Sequence, residues 1–429
     1  MTRTLYSLVF TLCMPLVLFR LLLRARKAPD YARRWHERLA LGGDLRPDGI
    51  WVHAVSVGEA IAAAPMVRQL LERYPQLPVT ITCMTPTGSE QIRKMFGDRV
   101  GHTYLPYDLP WLQRRFIRRL RPRVGVIMET ELWPNMVHEA KAAEVSLILA
   151  NARLSERSAR GYRRVGWLAR PMFAALDWVA VQTEAEAQRF ARLGVARESF
   201  SITGSIKFDL QPDSDVLEQA AQLRGQWGGR PVWIAASTHA GEDEHILAAH
   251  QQVLESHSDA LLILVPRHPE RFGDVAKLIT GASMNAVLRS SGETPMRADQ
   301  VLLGDTMGEL MMFYACADIA FVGGSLVAHG GHNYLEPAAL GLPIISGPHS
   351  FNFTEISELL QGAGALQRVV DQRELATAVI RLISEPTAAR QAGAAGMAVV
   401  KDNQGALERL LQGIDTKIGV GDFKVPATE

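Results

Sequence analysis

The apolar residues form one long run near the N-terminus and many short runs after it. Residues 5–23 are interrupted only by two hydroxyl residues, one proline and Arg20, and this length approaches the ~20 residues that span a bilayer as a helix. The basic sequence Arg24-Ala25-Arg26-Lys27 follows, which favours a cytoplasmic location for the rest of the chain. We predict a membrane anchor in residues 1–30, either spanning the bilayer or partly embedded in it.

Two other interpretations of this apolar run are less well supported by the sequence. A cleaved signal peptide is disfavoured, because only Arg3 precedes the run and no small-residue cleavage site ends it. A buried core helix is the second alternative, and it is disfavoured because the run is long and has a basic flank.

From residue 49 onward, short apolar runs alternate with amphipathic stretches. The first series of predicted strands covers residues 50–55, 79–84, 124–128, 145–150, 178–182 and 200–203, and a helix is predicted over residues 57–74. A polar stretch at residues 211–215 marks a linker, after which strands are predicted at residues 232–236, 261–265, 301–303, 319–322 and 343–345. Further helices are predicted near Glu242, Pro269, Met307, Asn333 and Phe353 and over residues 374–414.

This alternation is typical of βαβ units and parallel sheets. We predict an α/β protein in which two Rossmann-like, doubly wound parallel-sheet domains face a cleft. The predicted division is an anchor at residues 1–30, one domain at residues 31–210 and a second at residues 211–429. In such sheets, ligands bind beyond the carboxyl ends of the strands.

Composition supports two folded domains and excludes several other classes of protein. The chain has 429 residues, of which 47% are hydrophobic and 21% charged, a balance that excludes disordered and collagen-like proteins. Its three cysteines lie far apart, which excludes both a disulfide scaffold and a structural zinc site with cysteine ligands.

The net charge of +1 hides a strong asymmetry. Residues 1–210 contain 31 Lys and Arg against 19 Asp and Glu, whereas residues 211–429 contain 15 against 26. A basic first half is expected to meet an anionic partner, such as a membrane surface or a phosphorylated substrate. Nucleic acid is disfavoured because no aromatic residues are interleaved with the arginines. The alternative is that each domain merely keeps a soluble surface.

The first candidate site follows the strand at residues 50–55, in the sequence Ser56-Val57-Gly58-Glu59. Gly58 permits close approach of the backbone, and Glu59 falls in the first turn of the next helix. A carboxylate there suits a general base aimed into a cleft. Stabilisation of the helix N-terminus is an equally good explanation of its charge.

The second candidate site follows the strand at residues 124–128. Glu129 and Glu131 come directly after a buried strand, and they point the same way if the strand continues. Buried carboxylates need partners, which favours a functional role. Arg153, after the next strand, is a candidate partner. Lys207, at the end of the first half, is a further candidate that could face the cleft.

The acidic half contains turns suited to an anionic nucleotide. Pro266 and Arg267 end one strand, and the turn Gly323-Gly324-Ser325 ends another; such turns offer backbone N–H groups to phosphate. Arg267 is the candidate cation, Glu336 could accept from ribose hydroxyls, and residues 307–309 could present amides to a base. The chain lacks the Walker A loop, the Rossmann G-x-G-x-x-G motif and the G-x-S-x-G elbow.

Metal binding has little support in the sequence. Asp213 and Asp215 form a D-x-D sequence, but it lies in the linker rather than at a strand end. His329 and His332 have no carboxylate in register as a third ligand. We expect no metal and no other cofactor.

Taken together, these motifs closely resemble those of 3-deoxy-D-manno-oct-2-ulosonic acid (Kdo) transferases, and the resemblance covers nearly the whole chain. Besides the anchor, the matching motifs are His53 with Ser56-Val57-Gly58-Glu59, Met84-Thr85-Pro86-Thr87-Gly88, Leu105-Pro106-Tyr107-Asp108, Glu129-Thr130-Glu131-Leu132-Trp133-Pro134-Asn135, Pro266-Arg267-His268-Pro269-Glu270 and Gly330-Gly331-His332-Asn333.

The resemblance implies a GT-B glycosyltransferase of lipopolysaccharide biosynthesis in Gram-negative bacteria. It implies transfer of Kdo from CMP-Kdo to the lipid A precursor (lipid IVA) at the cytoplasmic side of the inner membrane. Glu59 would be the proton acceptor, and Glu129 and Lys207 would support the transition state. The implied nucleotide-sugar contacts are Pro266, Arg267, Met307, Gly308, Glu309, Asn333, Tyr334, Leu335 and Glu336. Ser56, Gly58, Glu131 and Arg153 are the expected acceptor contacts.

The residues alone leave two alternatives open. One is a GT-B transferase that uses a UDP-sugar on another lipid acceptor. The other is a membrane-tethered, non-catalytic protein that binds anions.

Overall fold

The computed structural model describes residues 2–419. The chain forms two compact units, one built from Met1–Ile206 with Gln404–Glu429 and the other from Lys207–Asn403. The division differs from the sequence-based one at the C-terminal end, where residues 404–429 were assigned to the second domain.

The first unit contains a seven-stranded, wholly parallel sheet. Its strands are β1 (Ile50–His53), β2 (Val79–Cys83), β3 (Gly101–Tyr104), β4 (Val124–Met128), β5 (Ser146–Ala152), β6 (Trp178–Val181) and β7 (Phe200–Ile202). They are arranged in the order β3-β2-β1-β4-β5-β6-β7. The order reverses between β1 and β4, so the carboxyl ends of these two strands flank the position where doubly wound sheets bind ligands.

Helices cover both faces of this sheet, because its strands are apolar on both sides. They are α1 (Thr2–Lys27), α2 (Val57–Arg73), α3 (Pro86–Phe96), α4 (Pro110–Leu120), α5 (Pro134–Ala142), α6 (Glu156–Arg164), α7 (Gly166–Ala174) and α8 (Glu184–Arg192). Short 3₁₀ turns lie at Pro29–Ala32, Trp35–Leu39, Gly97–Arg99 and Arg197–Ser199.

Helix α1 lies along the surface of the first unit. Phe10, Met14, Val17 and Leu18 pack against the core on one face of the sheet. Near its start, Arg3 donates to Asn135 Oδ1 at 3.2 Å and pairs with Glu139 at 3.4 Å. The opposite face is apolar and exposed, and it carries Leu5, Leu8, Val9, Leu12, Leu16, Phe19, Leu22 and Leu23. By length and composition, this helix could cross a membrane.

The second unit contains another seven-stranded parallel sheet. Its strands are β8 (Val232–Thr238), β9 (Leu261–Pro266), β10 (Ala286–Leu288), β11 (Val301–Leu303), β12 (Ile319–Val322), β13 (Ile344–Ser346) and β14 (Leu366–Arg368). The order is β10-β11-β9-β8-β12-β13-β14, so the strand order reverses between β8 and β12.

The helices of the second unit enclose three apolar clusters. They are α9 (Ser214–Gln226), α10 (Asp243–Ser256), α11 (Phe272–Gly281), α12 (Leu310–Cys316), α13 (Leu335–Ala339), α14 (Thr354–Gly362), α15 (Gln372–Ser384) and α16 (Pro386–Asp402). Turns of 3₁₀ helix lie at Ile206–Phe208, Pro269–Arg271 and Arg289–Ser291. Asp213 caps α9 by accepting from the Asp215 N–H at 3.0 Å, which gives the D-x-D sequence a structural role.

The last described helix, α17 (Ala406–Ile418), returns to the first unit. Leu410, Leu411 and Ile414 are buried in the core of this unit, where α17 contacts α2, β5 and β6. Arg73 of α2 reaches Asp415 at 3.1 Å, and Tyr74 donates to the same carboxylate at 2.7 Å. These contacts are the physical reason for the difference from the sequence-based boundary.

The eleven predicted strands are all present, with ends within two residues of the predicted ones. The prediction missed β3, β10 and β14, each of which lies at the edge of a sheet. The helix predicted over residues 374–414 is in fact three helices, interrupted at Glu385 and at residues 403–405. Two doubly wound parallel sheets are the fold that the alternating pattern predicts.

Candidate active site

Glu59 lies in the first turn of α2, directly beyond the carboxyl end of β1. Ser56 is the N-cap of this helix, and its Oγ accepts from the Glu59 N–H at 3.4 Å. The Glu59 carboxylate turns back and accepts from the Val55 N–H at 2.9 Å and from Ser56 Oγ at 3.0 Å. This reciprocal arrangement is a capping box, which fixes the carboxylate at the edge of the sheet.

The environment of Glu59 makes its carboxyl basic. Its side chain is only 8% exposed, and this burial raises the pKa to about 7. The hydrogen bonds from Val55 and Ser56 oppose the shift, whereas the charges of Glu129 and Glu131 add to it. A carboxyl with a pKa near neutrality is suited to general-base catalysis.

Glu129 and Glu131 follow β4, the strand that pairs with β1 at the switch point. The strand ends at Met128, and Glu129 has a φ of 54°. The strand does not continue through Glu129 and Glu131, so the condition under which both carboxylates were expected to point the same way is not met. Both charges nevertheless act on Glu59, so the turn brings three carboxylates to one end of the sheet.

The next strand carries a matching distortion. Met128 pairs with Ala150 in the sheet, which places Asn151 beside Glu129, and Asn151 has a φ of 51°. Left-handed backbone at non-glycine residues costs free energy and clusters at functional sites. Arg153 follows, with an exposed side chain and a carbonyl that accepts from Thr130 Oγ1 at 3.1 Å. These contacts hold the two turns together.

Gly58 is exposed at the start of α2. A Cβ at this position would meet only Ser56 Oγ, at 3.9 Å, and so would fit without a clash. The fold of the first unit therefore gives no steric reason for glycine here. The acceptor contact predicted for Gly58 from the sequence stays a prediction.

Lys207 is the first residue of the second unit. It follows Ile206, whose N–H donates to Asn151 Oδ1 at 3.2 Å. The chain therefore passes the carboxyl end of β5 as it leaves the first unit, one residue before Lys207. The role of Lys207 in the site stays a prediction.

In the second unit, Pro266 and Arg267 end β9. Pro266 is buried, whereas the side chain of Arg267 is exposed and its backbone N–H donates to Thr238 O at 3.0 Å. The charge of Arg267 acts on Glu336. The predicted cation and the predicted ribose acceptor are thus neighbours.

Residues 333–336 divide into two buried and two accessible side chains. Tyr334 and Leu335 are almost fully buried, so their side chains belong to the core. Asn333 accepts from the Leu335 N–H at 3.1 Å and donates to Glu336 Oε1 at 3.1 Å. Burial raises the pKa of Glu336, against the effects of Asn333 and Arg267. A ligand can therefore reach the side chains of Asn333 and Glu336 more readily than those of the other two.

Met307, Gly308 and Glu309 lie just before α12. Met307 is 60% exposed and Gly308 has a φ of 91°, which requires glycine. Glu309 pairs with Arg289 at 2.7 Å and accepts from Thr306. Burial acts to raise the pKa of Glu309, but these hydrogen bonds outweigh it and hold the pKa below the usual range. The ion pair between Glu309 and Arg289 fixes this turn, whose exposed backbone could contact the base of a nucleotide.

The turn Gly323-Gly324-Ser325 differs from the expectation that it offers its N–H groups to phosphate. The N–H groups of Gly324, Ser325 and Leu326 already donate to the carboxylate of Glu242, at 2.6, 2.9 and 2.9 Å. Glu242 is fully buried. The anion that this turn binds is therefore a side chain of the same unit.

Sequence reasoning missed Glu242 and His239 as members of this region. The signal was available, because both units repeat one arrangement: the first strand in the chain order of each sheet is followed by Gly-Glu, at Gly58-Glu59 and at Gly241-Glu242. Among residues 2–419, no group of three or more His, Cys, Asp or Glu side chains is placed to hold a metal ion.

Comparisons with known proteins place the chain in a family. The family model described as 3-Deoxy-D-manno-octulosonic-acid transferase (kdotransferase) matches residues 33–210. A 3-deoxy-D-manno-octulosonic acid transferase from Haemophilus influenzae is 45% identical, over 96% of this chain and 97% of its own length. One from Bordetella pertussis is 37% identical, over 98% of this chain and 100% of its own.

Solved structures bear on the fold. A UDP-GlcNAc 2-epimerase from Neisseria meningitidis has a TM-score of 0.58 at 12% identity, covering 86% of this chain and all of its own. This likeness, with the two doubly wound sheets, confirms the predicted GT-B fold. The near full-length identity to the two transferases establishes the family: the chain belongs to the 3-deoxy-D-manno-octulosonic acid (Kdo) transferases.

Proposed function

We propose that this Kdo transferase moves Kdo from CMP-Kdo to the lipid A precursor, lipid IVA, with release of CMP. The observation that carries the proposal is Glu59, a buried carboxyl with a pKa near 7, held in place at the switch point of the first sheet. This is the arrangement expected of a base that accepts a proton from a sugar hydroxyl.

In the proposed reaction, an acceptor hydroxyl attacks C2 of Kdo as the bond from C2 to the phosphate oxygen breaks. Glu59 takes the hydroxyl proton, and CMP leaves with the electron pair of the broken bond. A single displacement of this kind inverts the configuration at C2. Glu129 and Glu131 keep the pKa of Glu59 high, which makes it a better base.

The other site residues divide between the two substrates. Ser56, Gly58, Glu131 and Arg153 are proposed to contact the acceptor. Arg267, Asn333, Glu336 and the turn at residues 307–309 are proposed to hold the nucleotide. Lys207 is proposed to stabilise the transition state, together with Glu129. No step in this mechanism requires a metal ion or another cofactor.

The proposed location is the cytoplasmic face of the inner membrane. The exposed face of α1 carries eight large apolar side chains between Leu5 and Leu23, and the exposed Arg20, Arg24 and Arg26 lie towards its C-terminal end, a distribution suited to lipid and its headgroups. A hollow on α6 and α7 is lined by Arg163, Arg164, Arg170 and the half-exposed Trp167, a combination suited to an anionic lipid surface.

The test is an assay of the purified full-length chain with CMP-Kdo and lipid IVA, with the product mass measured after complete turnover. We expect a product heavier by one or more Kdo residues. Arg267→Ala should raise the KM for CMP-Kdo, because it removes the proposed nucleotide cation. Product formation with UDP-sugars but not with CMP-Kdo would contradict the proposal, and loss of transfer after thorough chelation would contradict its metal-free mechanism.

A further inference from the structure

Four imidazole rings meet at the switch point of the second sheet. His239 follows β8, His268 follows β9, and His329 and His332 lie in the segment after β12. The ring centroids of His329, His332 and His268 lie 4.1, 5.1 and 5.4 Å from that of His239. The proposed mechanism gives no role to any of them, although this is where doubly wound sheets bind ligands.

His239 and His332 form a direct hydrogen bond. Their Nε2 atoms are 2.8 Å apart, and the two ring planes differ by only 1°. With the centroids 5.1 Å apart, the two nitrogens point straight at each other, and one N–H lies between them. This in-line geometry is that of an N–H···N bond, whereas two ligands of one tetrahedral metal would meet at an angle.

The charges around the pair are mainly positive. Burial, then His329 and His268, then Arg271 and Arg267, lower the pKa of His239 to about 4. Burial, His239 and Arg267 lower that of His332 to about 4 as well. The nearby carboxylates are already bound within the unit: Asp243 pairs with Arg271, and Glu242 accepts from backbone N–H groups, including that of His239. The pair is therefore neutral at pH 7 and can accept one proton.

The N–H groups of residues 324–326 are not available to an anionic ligand, because Glu242 accepts from all three. Nearby side chains are the other donors that could recognise an anion here. Arg267 supplies one positive charge near the pair. CMP-Kdo carries two negative groups on the reacting carbon, its phosphate and the carboxylate of the sugar.

We propose that the His239–His332 pair is an anion subsite that takes up one proton as it binds an oxyanion of the donor. The inference rests on the proposed use of CMP-Kdo. The added proton turns the bond between the rings into an imidazole–imidazolium bond and gives both rings an outward N–H. An anion beside the pair favours the charged form, so binding and protonation support each other.

This linkage has a definite sign. The unliganded pair titrates well below neutrality and the liganded pair titrates higher, so protons are taken up on binding in the window between. Donor affinity should therefore fall as the pH rises through this window. His329 and His268 pack against His239 and lower its pKa, so they oppose the added proton until an anion is bound.

The experiment measures binding of cytidine, CMP and CMP-Kdo to the full-length chain by titration calorimetry at pH 6.5, in two buffers of different ionisation enthalpy. Proton uptake appears as a difference between the buffers. The variants are His332→Asn and His332→Gln, which place an amide N–H donor at two different side-chain lengths and cannot be protonated in this pH range. His257→Asn is the matched control, because His257 contacts Ser384 at the far end of α10.

If the oxyanion is the phosphate, CMP binding takes up more protons in the wild-type chain than in His332→Gln, cytidine binding takes up none, and His332→Asn weakens CMP at least tenfold while cytidine is unaffected. If it is the carboxylate, proton uptake and the loss of affinity are seen with CMP-Kdo alone. Either result supports the subsite, provided that His332→Gln abolishes the uptake. Binding of all three ligands by His332→Asn as by wild type, or no uptake with any ligand, overturns it.

The two proposals fail differently. A wild-type chain that makes no product from CMP-Kdo contradicts the proposed function. A wild-type chain that makes product, with His332 variants whose KM and proton uptake are unchanged, contradicts only the subsite. Melting curves of both variants against His257→Asn separate loss of binding from loss of the fold.

Discussion

Glu59 combines reactivity with a cost in stability. Its carboxyl is buried among other carboxylates, which raises its pKa from the ordinary value of 4.5 to about 7. The folded state therefore binds a proton more tightly than the unfolded state. The stability that this proton gives is lost as the pH rises from 4.5 to about 7, and the ionised form present above pH 7 is the one that acts as a base.

The first prediction is a pH profile of transfer. Since only ionised Glu59 accepts a proton, kcat/KM should rise with pH and level off above about pH 7, with roughly tenfold less activity one pH unit below. Glu59→Gln should reduce kcat by about 10²–10⁴-fold. Glu72→Gln, an exposed change on the same helix, is the control and should leave transfer unchanged.

The second prediction concerns stability of the same variant. Glutamine can still accept from Val55 and donate to Ser56 Oγ, but it carries no charge to bury. Wild-type stability should fall as the pH rises from 4.5 to about 7, because the folded state holds the extra proton in that window. Glu59→Gln should therefore melt at a higher temperature than wild type at pH 8, by a margin that shrinks at pH 5. A variant that melts lower at pH 8 would contradict this.

The sequence identifies single functional candidates where a charged residue comes soon after a predicted strand. Glu59, Glu129 and Arg267 were predicted from their places after apolar runs, and the structure puts each at a strand end. The contact between His239 and His332 spans 93 positions in the chain, so no local pattern predicts it. The burial of Tyr334 and Leu335 likewise depends on packing that the motif alone does not reveal.

For helix α1, the sequence predicts a membrane anchor, and the structure adds which face of the helix packs against the protein. Its composition predicts an anchor without deciding between a spanning and an embedded helix. In the structure, one face is packed against the first unit from Arg3 to Leu18, through a polar pair at its start and apolar contacts further along. A helix attached along its length is suited to lie within one leaflet, with only its outer face in lipid.

The third prediction follows from this packing. A cysteine added before Met1, in a chain with Cys13→Ser, should react with a membrane-impermeant maleimide only from the cytoplasmic side. Cys83 and Cys316 are buried and should react slowly. Met397→Cys, exposed in the second unit, is the positive control for that side. Labelling of the N-terminal cysteine from the periplasmic side would show that α1 spans the bilayer.

The strands that the sequence failed to predict share a physical cause. β3, β10 and β14 are edge strands, and each has four or fewer residues. Strands in the middle of a parallel sheet are buried on both faces and produce the continuous apolar runs that the pattern detects. Edge strands such as Leu366–Arg368 contain polar residues, so their hydrophobic pattern cannot be told apart from that of a loop.

At the scale of the whole molecule, the charge asymmetry survives the revised boundary. The first unit, with the C-terminal segment, has 33 Lys and Arg against 22 Asp and Glu, and the second has 13 against 23. The basic unit is also the one that carries α1 and the arginine-lined hollow. Under the proposed function, the acidic unit binds the anionic nucleotide-sugar through a few local groups.

The fourth prediction tests which unit α17 supports. Leu411 is buried in the core of the first unit, so Leu411→Ala should destabilise that unit by about 2–5 kcal/mol. Hydrogen exchange should then increase in β1, β2 and α2. Leu382→Ala, a buried change in α15, is the matched control and should increase exchange in the second unit instead. Faster exchange of β8 and β9 in Leu411→Ala would contradict the assignment.

The return of α17 to the first unit reverses the usual order of folding during synthesis. Domains generally fold as they leave the ribosome, the N-terminal one first. Here the second unit has its whole chain once Asn403 has emerged, whereas the first unit still lacks Leu410, Leu411 and Ile414 of its core. The nascent first unit therefore carries an unfilled apolar groove beside α2, β5 and β6 while the second unit is made, because the segment that fills it is synthesised after the second unit.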